Sequence, residues 1–345
     1  MIRDEDERDP ARGDSEPDSS DETPYADLGP DTVLDAVAAL GYSPDGRLLP
    51  LNSYENRVYR VGLEEGPPLV AKFYRPGRWS SAAIREEHAF AAELAAAEIP
   101  VVAPLEVDRT TLPVHAGYRF AIFPNRGGRP PELDDPEVLE RIGHFMGRLH
   151  GVGAGARFEH RPALEPATFG ERVVERLCAG DWIPPHMEPA YTSVTRDLLD
   201  AVNERWEAVA PRPIRLHGDA HPGNILWRDG PHIVDLDDAR TGPAIQDLWL
   251  FLGGERGEQE ERLRHLWRGY RAFHDLDPVE LGLVEALRAL RLIHHAGWIA
   301  ARWGDPAFPR AFPWFDSPRY WEEHVLALRE QLAALGEPAL PLPMD

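Results

Sequence analysis

Between Leu216 and Arg240 the chain reads LHGDAHPGNILWRDGPHIVDLDDAR, a stretch that cannot be one continuous helix. Pro222 lacks the amide hydrogen a helix interior requires, and Gly223 beside it weakens any helical turn further. The reading is a strand-and-loop block running from about 214 to 246. Asp219 and Asn224 stand five apart in a turn-forming context, and Asp235 follows eleven residues later behind an apolar strand, IV. Three oxygen-bearing side chains can therefore converge on one spot.

The surroundings of the block predict an α+β chain of two lobes. Ahead of it the helical segments are DPEVLERIGHFMGRLHGV, PATFGERVVERLCAG and TSVTRDLLDAVNERWEAV; behind it come QDLWLFLGG, RLRHLWRGYRAFHD, VELGLVEALRALRLIHHAGWIAARW and SPRYWEEHVLALREQLAAL. Nearer the start the pattern is different. A short amphipathic helix begins with Asp31 as its expected N-cap and ends at Gly41. LNSYENRVYRVGL and PPLVAKFYRP then read as an antiparallel pair joined by EEGPP, SSAAIREEHAFAAELAAAEIP as a helix stopped by Pro100, and GYRFAIFPNRGGR as a strand entering a connector. The expected division is an acidic tail over residues 1–24, a small β-rich lobe over 25–125 and a large α-helical lobe over 126–345, with a cleft between the lobes. The tail carries ten acids against three arginines and almost no aliphatic residue, so it is expected to stay disordered.

Phosphoryl transfer needs a carboxylate to orient a hydroxyl and receive its proton, and an amide oxygen with a second carboxylate to hold Mg²⁺ on nucleotide phosphates. Asp219 suits the first task, and Asn224 and Asp235 the second, so Asp219 and Asp235 are the expected catalytic acids. The four residues between Asp219 and Asn224 reproduce the spacing of the protein-kinase catalytic loop, with His217 in place of its leading histidine. His217 and His221 lack the glutamate of a HExxH zinc site and are expected to hold the loop backbone around Asp219. Asp237 and Asp238 are expected to face solvent or cap a turn, and His294 and His295 to pack on a helix.

Of 37 basic residues only Lys72 is lysine. A composition that replaces lysine by arginine wherever either serves marks Lys72 as a place where a planar guanidinium fails and a compact ammonium is required. Inside an apolar strand, that ammonium suits the α- and β-phosphates of a nucleotide. It needs a carboxylate partner, for which the following helix offers Glu87, with Glu86 as the alternative. No GxGxxG is present; the corresponding turn is NSYENR at 52–57, where backbone amides and the Ser53 hydroxyl can cradle a phosphate.

Composition excludes several partners. The formal charge of −22 repels nucleic acid and anionic lipid. Apolar runs such as AAELAAAEIPVVAPLEV are too short and too interrupted to cross a bilayer. A single cysteine, Cys178, forms no intrachain disulfide, and MIRDEDERDP has neither an apolar h-region nor a basic presequence, so a cytoplasmic protein is expected; a monomer is the separate expectation for its assembly.

The stretches LNSYENRVY, VAKFYRPGRW, LHGDAHPGNILWRDGP, VDLDDARTGPAIQDLW and DPAFPRAFPW resemble the aminoglycoside phosphotransferase and choline kinase-like group of the protein-kinase fold. Within that group they are similar to its bacterial serine/threonine protein kinases. The likeness spans roughly residues 28 to 343 and leaves the tail out. It implies that Asp219 accepts the proton, that Asn224 and Asp235 ligate magnesium, and that Ser53 and Lys72 contact ATP, with adenine against Phe120 to Asn125. It also implies a protein Ser/Thr acceptor and a role in envelope or oxidative stress; the alternative is a small-molecule kinase acting on an amino alcohol, aminoglycoside or sugar. The lack of an APE-ended activation segment implies no loop switch.

Overall fold

A computed structural model describes residues 24–343; the acidic tail, apart from its last residue, lies outside the described residues. The chain divides into two compact units, one running to Arg85 and resuming over Leu105–Phe123, the other made of Glu86–Pro104 and Pro124–Asp345.

The first unit is β-rich. Helix α1 (Pro30–Ala38) starts one residue before the expected N-cap, because Pro30 occupies the first turn, where its missing amide costs nothing. Val33, Ala36 and Val37 face inward at helical spacing. Strands β1 (Pro44–Leu51), β2 (Arg57–Leu63) and β3 (Leu69–Phe73) follow, then helix α2 (Ser81–Ala96), within which the division between units falls, then β4 (Val114–His115) and β5 (Tyr118–Pro124). The sheet order is β1-β2-β3-β5-β4, so β3 is flanked on both sides. Strand β1 has no alternating apolar pattern and is mostly exposed, which is why the sequence does not announce it. Phe73 of β3 stacks on Phe120 of β5 with centroids 5.1 Å apart, and both join Val33, Val37 and Val61 in one core cluster.

The second unit is mainly helical. Helix α3 (Pro136–Gly153) is capped by Asp135, whose carboxylate accepts from Glu137 N. A π turn at Ala167–Glu171 leads into α4 (Arg172–Ala179), followed by α5 (Glu188–Val209). Two small antiparallel ribbons come next: β6 (Ile214–Leu216) pairs with β9 (Arg240–Gly242), and β7 (Ile225–Trp227) with β8 (Pro231–Ile233). The segment QDLWLFLGG, expected as a helix, instead forms two 3₁₀ turns, Ala244–Asp247 and Trp249–Phe251. Asp247 and Gln246 turn inward there to bond other parts of the chain, which a regular helix would not allow. Helices α6 (Arg256–Tyr270), α7 (Val284–Ala300), α8 (Ala307–Ala311) and α9 (Pro318–Leu335) complete the unit. Helices α3 and α6 cross closely at Gly143 and Gly269, where a Cβ would meet Leu266 O at 2.1 Å and Glu140 O at 2.0 Å.

Beneath the first 3₁₀ turn, Glu280 is buried and its carboxylate accepts from Ile245 N at 3.1 Å. Burial pushes its pKa up from 4.5 to about 7. A carboxyl whose native pKa is raised adds stability that is complete below its unfolded pKa and is lost as pH rises through the native value. Wild type is therefore expected to lose melting temperature between pH 5 and 8 relative to Glu280→Gln, whose amide stays neutral. Parallel melting curves across that range would disprove it.

Candidate active site

The residues expected to act together in the second unit are brought close by the two ribbons. Strand β6 delivers the chain into His217-Gly218-Asp219, and Leu216 pairs with Arg240, so the loop leaves and the turn returns at one ribbon end. In the other ribbon Ile225 pairs with Ile233, and Val234 N donates to Asn224 O at 3.0 Å. Asn224 and Asp235 therefore flank the same end of a hairpin, although they stand eleven positions apart. Asn224 Nδ2 donates to the Asp219 carbonyl at 3.0 Å, which fixes the amide and leaves its oxygen as the acceptor end. Asp235 lies at φ 62°, ψ 62°, a left-handed conformation that costs a non-glycine residue of order 1–3 kcal/mol. An amide oxygen and a carboxylate are hard donors that suit Mg²⁺, so the residues present fit that ion.

The histidines behave as expected. His217 Nδ1 accepts from Asp219 N at 3.2 Å while Nε2 meets the Val234 carbonyl at 3.0 Å, and His221 Nδ1 accepts from Gly223 N at 2.9 Å. Burial lowers the pKa of His221. The two carboxylates after Asp235 do not share the expected solvent-facing role. Asp237 is buried, its carbonyl accepting from Arg161 Nη2, whereas Asp238 binds Arg240 Nη2 at 2.6 Å. Asp237 is drawn inside because Arg161, itself buried, takes the backbone of this turn. Arg240 lies 4.6 Å over the Phe169 ring, which stacks on His294 at 4.3 Å.

Several residues of the site gave no signal in the sequence. Asp247, fully buried, accepts from His217 N at 2.7 Å and Gly218 N at 2.8 Å, and meets His150 Nε2 at 3.2 Å. With Nε2–H donating to Asp247, His150 Nδ1 accepts the Tyr270 hydroxyl at 2.7 Å. Gln246 donates to the Gly218 carbonyl at 3.1 Å. Gly218 itself is obligatory: its φ is +86°, and a Cβ there would sit 2.0 Å from Asp238 O. Arg291 on α7 bonds Asp219 Oδ1 at 2.8 Å.

On α2, Glu86 accepts from three backbone amides, Glu159 N, His160 N and Arg161 N, at 2.6 to 2.9 Å. Glu86 is thus an anchor for that loop. Glu87 is buried, 3.6 Å from Arg161 Nη1, and Arg161 Nε also donates to Ala239 O at 2.7 Å. In the first unit, Lys72 sits on β3 opposite Val58, 6% exposed, with Nζ 5.1 Å from the Tyr74 ring centroid. Ser53 lies in the turn between β1 and β2, where its Oγ accepts from Asn56 N at 3.3 Å and its own hydroxyl hydrogen remains to donate.

This fold and loop define a phosphotransferase, and the chain belongs to the phosphotransferase enzyme family, which matches residues 47–281. Its relatives narrow the class to kinases. It is 47% identical over 320 residues to the serine/threonine protein kinase RdoA of Salmonella typhimurium strain LT2, covering 92% of this chain and 97% of that one. Identity to stress response kinase A of Escherichia coli K12 is 44% over 321 residues, with the same coverage. Among solved structures, amicoumacin kinase hAmiN in complex with AMP-PNP, Ca²⁺ and Ami has a TM-score of 0.68 at 20% identity over 89% of this chain and 93% of that one, a likeness of fold.

Replacing Asp247 by Asn keeps the shape but turns one acceptor into a donor that faces a backbone amide. Asp247→Asn is expected to lower unfolding free energy by about 1–3 kcal/mol, the cost of a buried group left unpaired, and to impair transfer. An unchanged urea midpoint would contradict the bracing role.

Proposed function

We propose that this chain is an ATP- and Mg²⁺-dependent serine/threonine protein kinase of the stress response. The observation that carries the reading is the hairpin end that gathers Asn224 and Asp235 beside the loop bearing Asp219; the kinase names of relatives 44–47% identical over nearly the whole chain support the acceptor class and the role.

In this reading Asp219 orients the acceptor hydroxyl and takes its proton. Asn224 and Asp235 would hold Mg²⁺, which when bound neutralises charge on the nucleotide phosphates. Lys72 and Ser53 contact those phosphates, with Glu87 supporting Lys72. His217 and Asn224 fix the backbone of Asp219 so that its carboxylate is placed before substrate arrives, which is where positioning gains its rate advantage. His221, kept neutral by burial, braces the loop without adding a second full charge beside the base.

Incubation with labelled ATP and Mg²⁺, offering a generic protein substrate against a panel of amino alcohols, tests the reading; label in the amino alcohols alone refutes it. Asp219→Asn is expected to reduce turnover by about 10²–10⁴-fold, the usual contribution of a positioned proton acceptor, while ATP still binds by calorimetry. Near-normal turnover would remove Asp219 from the role.

Lys72→Arg keeps the charge but brings a wider, planar group into a buried position on a strand flanked on both sides. The variant is expected to fold and to be inactive. Full activity at an unaltered melting temperature would show that any cation serves at that position.

A further inference from the structure

The acceptor's chemistry can be read from what surrounds the base. Asp219 Oδ1 bonds Arg291 Nη1 at 2.8 Å, and Oδ2 faces His221 Nε2 at 3.5 Å. The Arg291 side chain is 47% exposed and that of Asp219 28%, so the pair stands at a surface that substrate can reach. One helical turn beyond Arg291, His295 stacks on Trp298 with centroids 5.8 Å apart. Beside the base the surface therefore presents an exposed guanidinium with the His221 and His295 rings near it.

A guanidinium on the base's own oxygen takes one of its acceptor sites and opposes transfer of the hydroxyl proton to it. An ammonium-bearing acceptor would be repelled by Arg291 and would leave that contact in place. A carboxylate next to the acceptor hydroxyl does the opposite: it offers the guanidinium a two-oxygen partner that matches its fork. Resting on the protein-kinase reading above, we propose that Arg291 selects the acceptor, a Ser or Thr hydroxyl flanked by Asp or Glu, whose carboxylate draws Arg291 from Asp219 as the hydroxyl arrives. The acceptor Oγ then bonds to the γ-phosphorus of ATP while the bond from that phosphorus to the β,γ-bridging oxygen breaks. ADP leaves with that electron pair, and the hydroxyl proton passes to the freed Asp219 oxygen and on to water.

The chain itself contains such a sequence, GDSEPDSSDETP at 13–24, with Ser15, Ser19, Ser20 and Thr23 each beside an acid. A synthetic peptide of that sequence is the probe, compared with versions whose acids are replaced by Asn and Gln, or by Lys, and with an amino alcohol, using full-length enzyme, labelled ATP and Mg²⁺. Wild type is expected to favour the acidic over the neutral peptide by about tenfold in kcat/KM, the worth of one charge-assisted hydrogen bond. Arg291→Ala and Arg291→Gln are each expected to abolish that preference, and Arg291→Glu to shift it toward the Lys peptide, with melting curves confirming that the variants fold. Acidic preference that survives in both neutral variants overturns the proposal. Peptides labelled by wild type without regard to charge also overturn it, while leaving the kinase reading intact. Label in the amino alcohol alone overturns that reading as well.

Discussion

The carboxylate of Asp247 is the interaction on which the shape of the 217–219 loop rests. A buried charge without partners would cost several kcal/mol, and here two backbone amides and His150 meet that demand. Both amides belong to His217-Gly218, immediately before Asp219, so satisfying the charge and shaping the loop are one event. The brace extends through His150 on α3 to Tyr270 on α6, two helices that already pack glycine against backbone. A residue from a 3₁₀ turn thirty positions away from the loop therefore fixes the direction in which Asp219 leaves it.

A second brace runs from α2 to the turn after Asp235. Glu86 gathers the amides of 159–161, which places Arg161 to donate into the carbonyls of Asp237 and Ala239 while it also faces Glu87. The turn it holds begins with Asp235 in a left-handed conformation. Such a backbone persists only where the surroundings over-determine it, and Arg161, the β6–β9 ribbon and the Gly218 contact with Asp238 supply that constraint. The constraints on this turn are therefore concentrated at Asp235 and the residues that follow it.

Between these braces, Asp219 itself is left accessible, with one oxygen on Arg291 and the other toward His221. Its backbone is fixed by the His217 ring, the Asn224 amide and the His221 N–H, and its carboxylate by contacts nearer the surface.

Much of this was legible in the residues. Pro222 and Gly223 exclude a helix, so HGDAHPGN had to be a loop, and Asp219, Asn224 and Asp235 stood out as candidates because their residue types and spacing are local; the ribbons bring them together. Lys72 stood out because it is the lone lysine. Strand β1 was not legible, since an exposed strand needs no apolar alternation, and QDLWLFLGG looked helical because side-chain type says nothing about which way a backbone amide must be paid with a partner. Asp247, Arg161, Glu86 and Arg291 were ordinary charged residues in helical or loop sequence. Their roles come from bonds spanning tens of residues, such as Arg291 to Asp219, and a pairing between distant side chains exists only once packing has set the distance. Sequence determined which groups could do the chemistry; the tertiary structure decided which charges hold them, because electrostatic partnership depends on separation in space and on burial, neither of which is encoded locally.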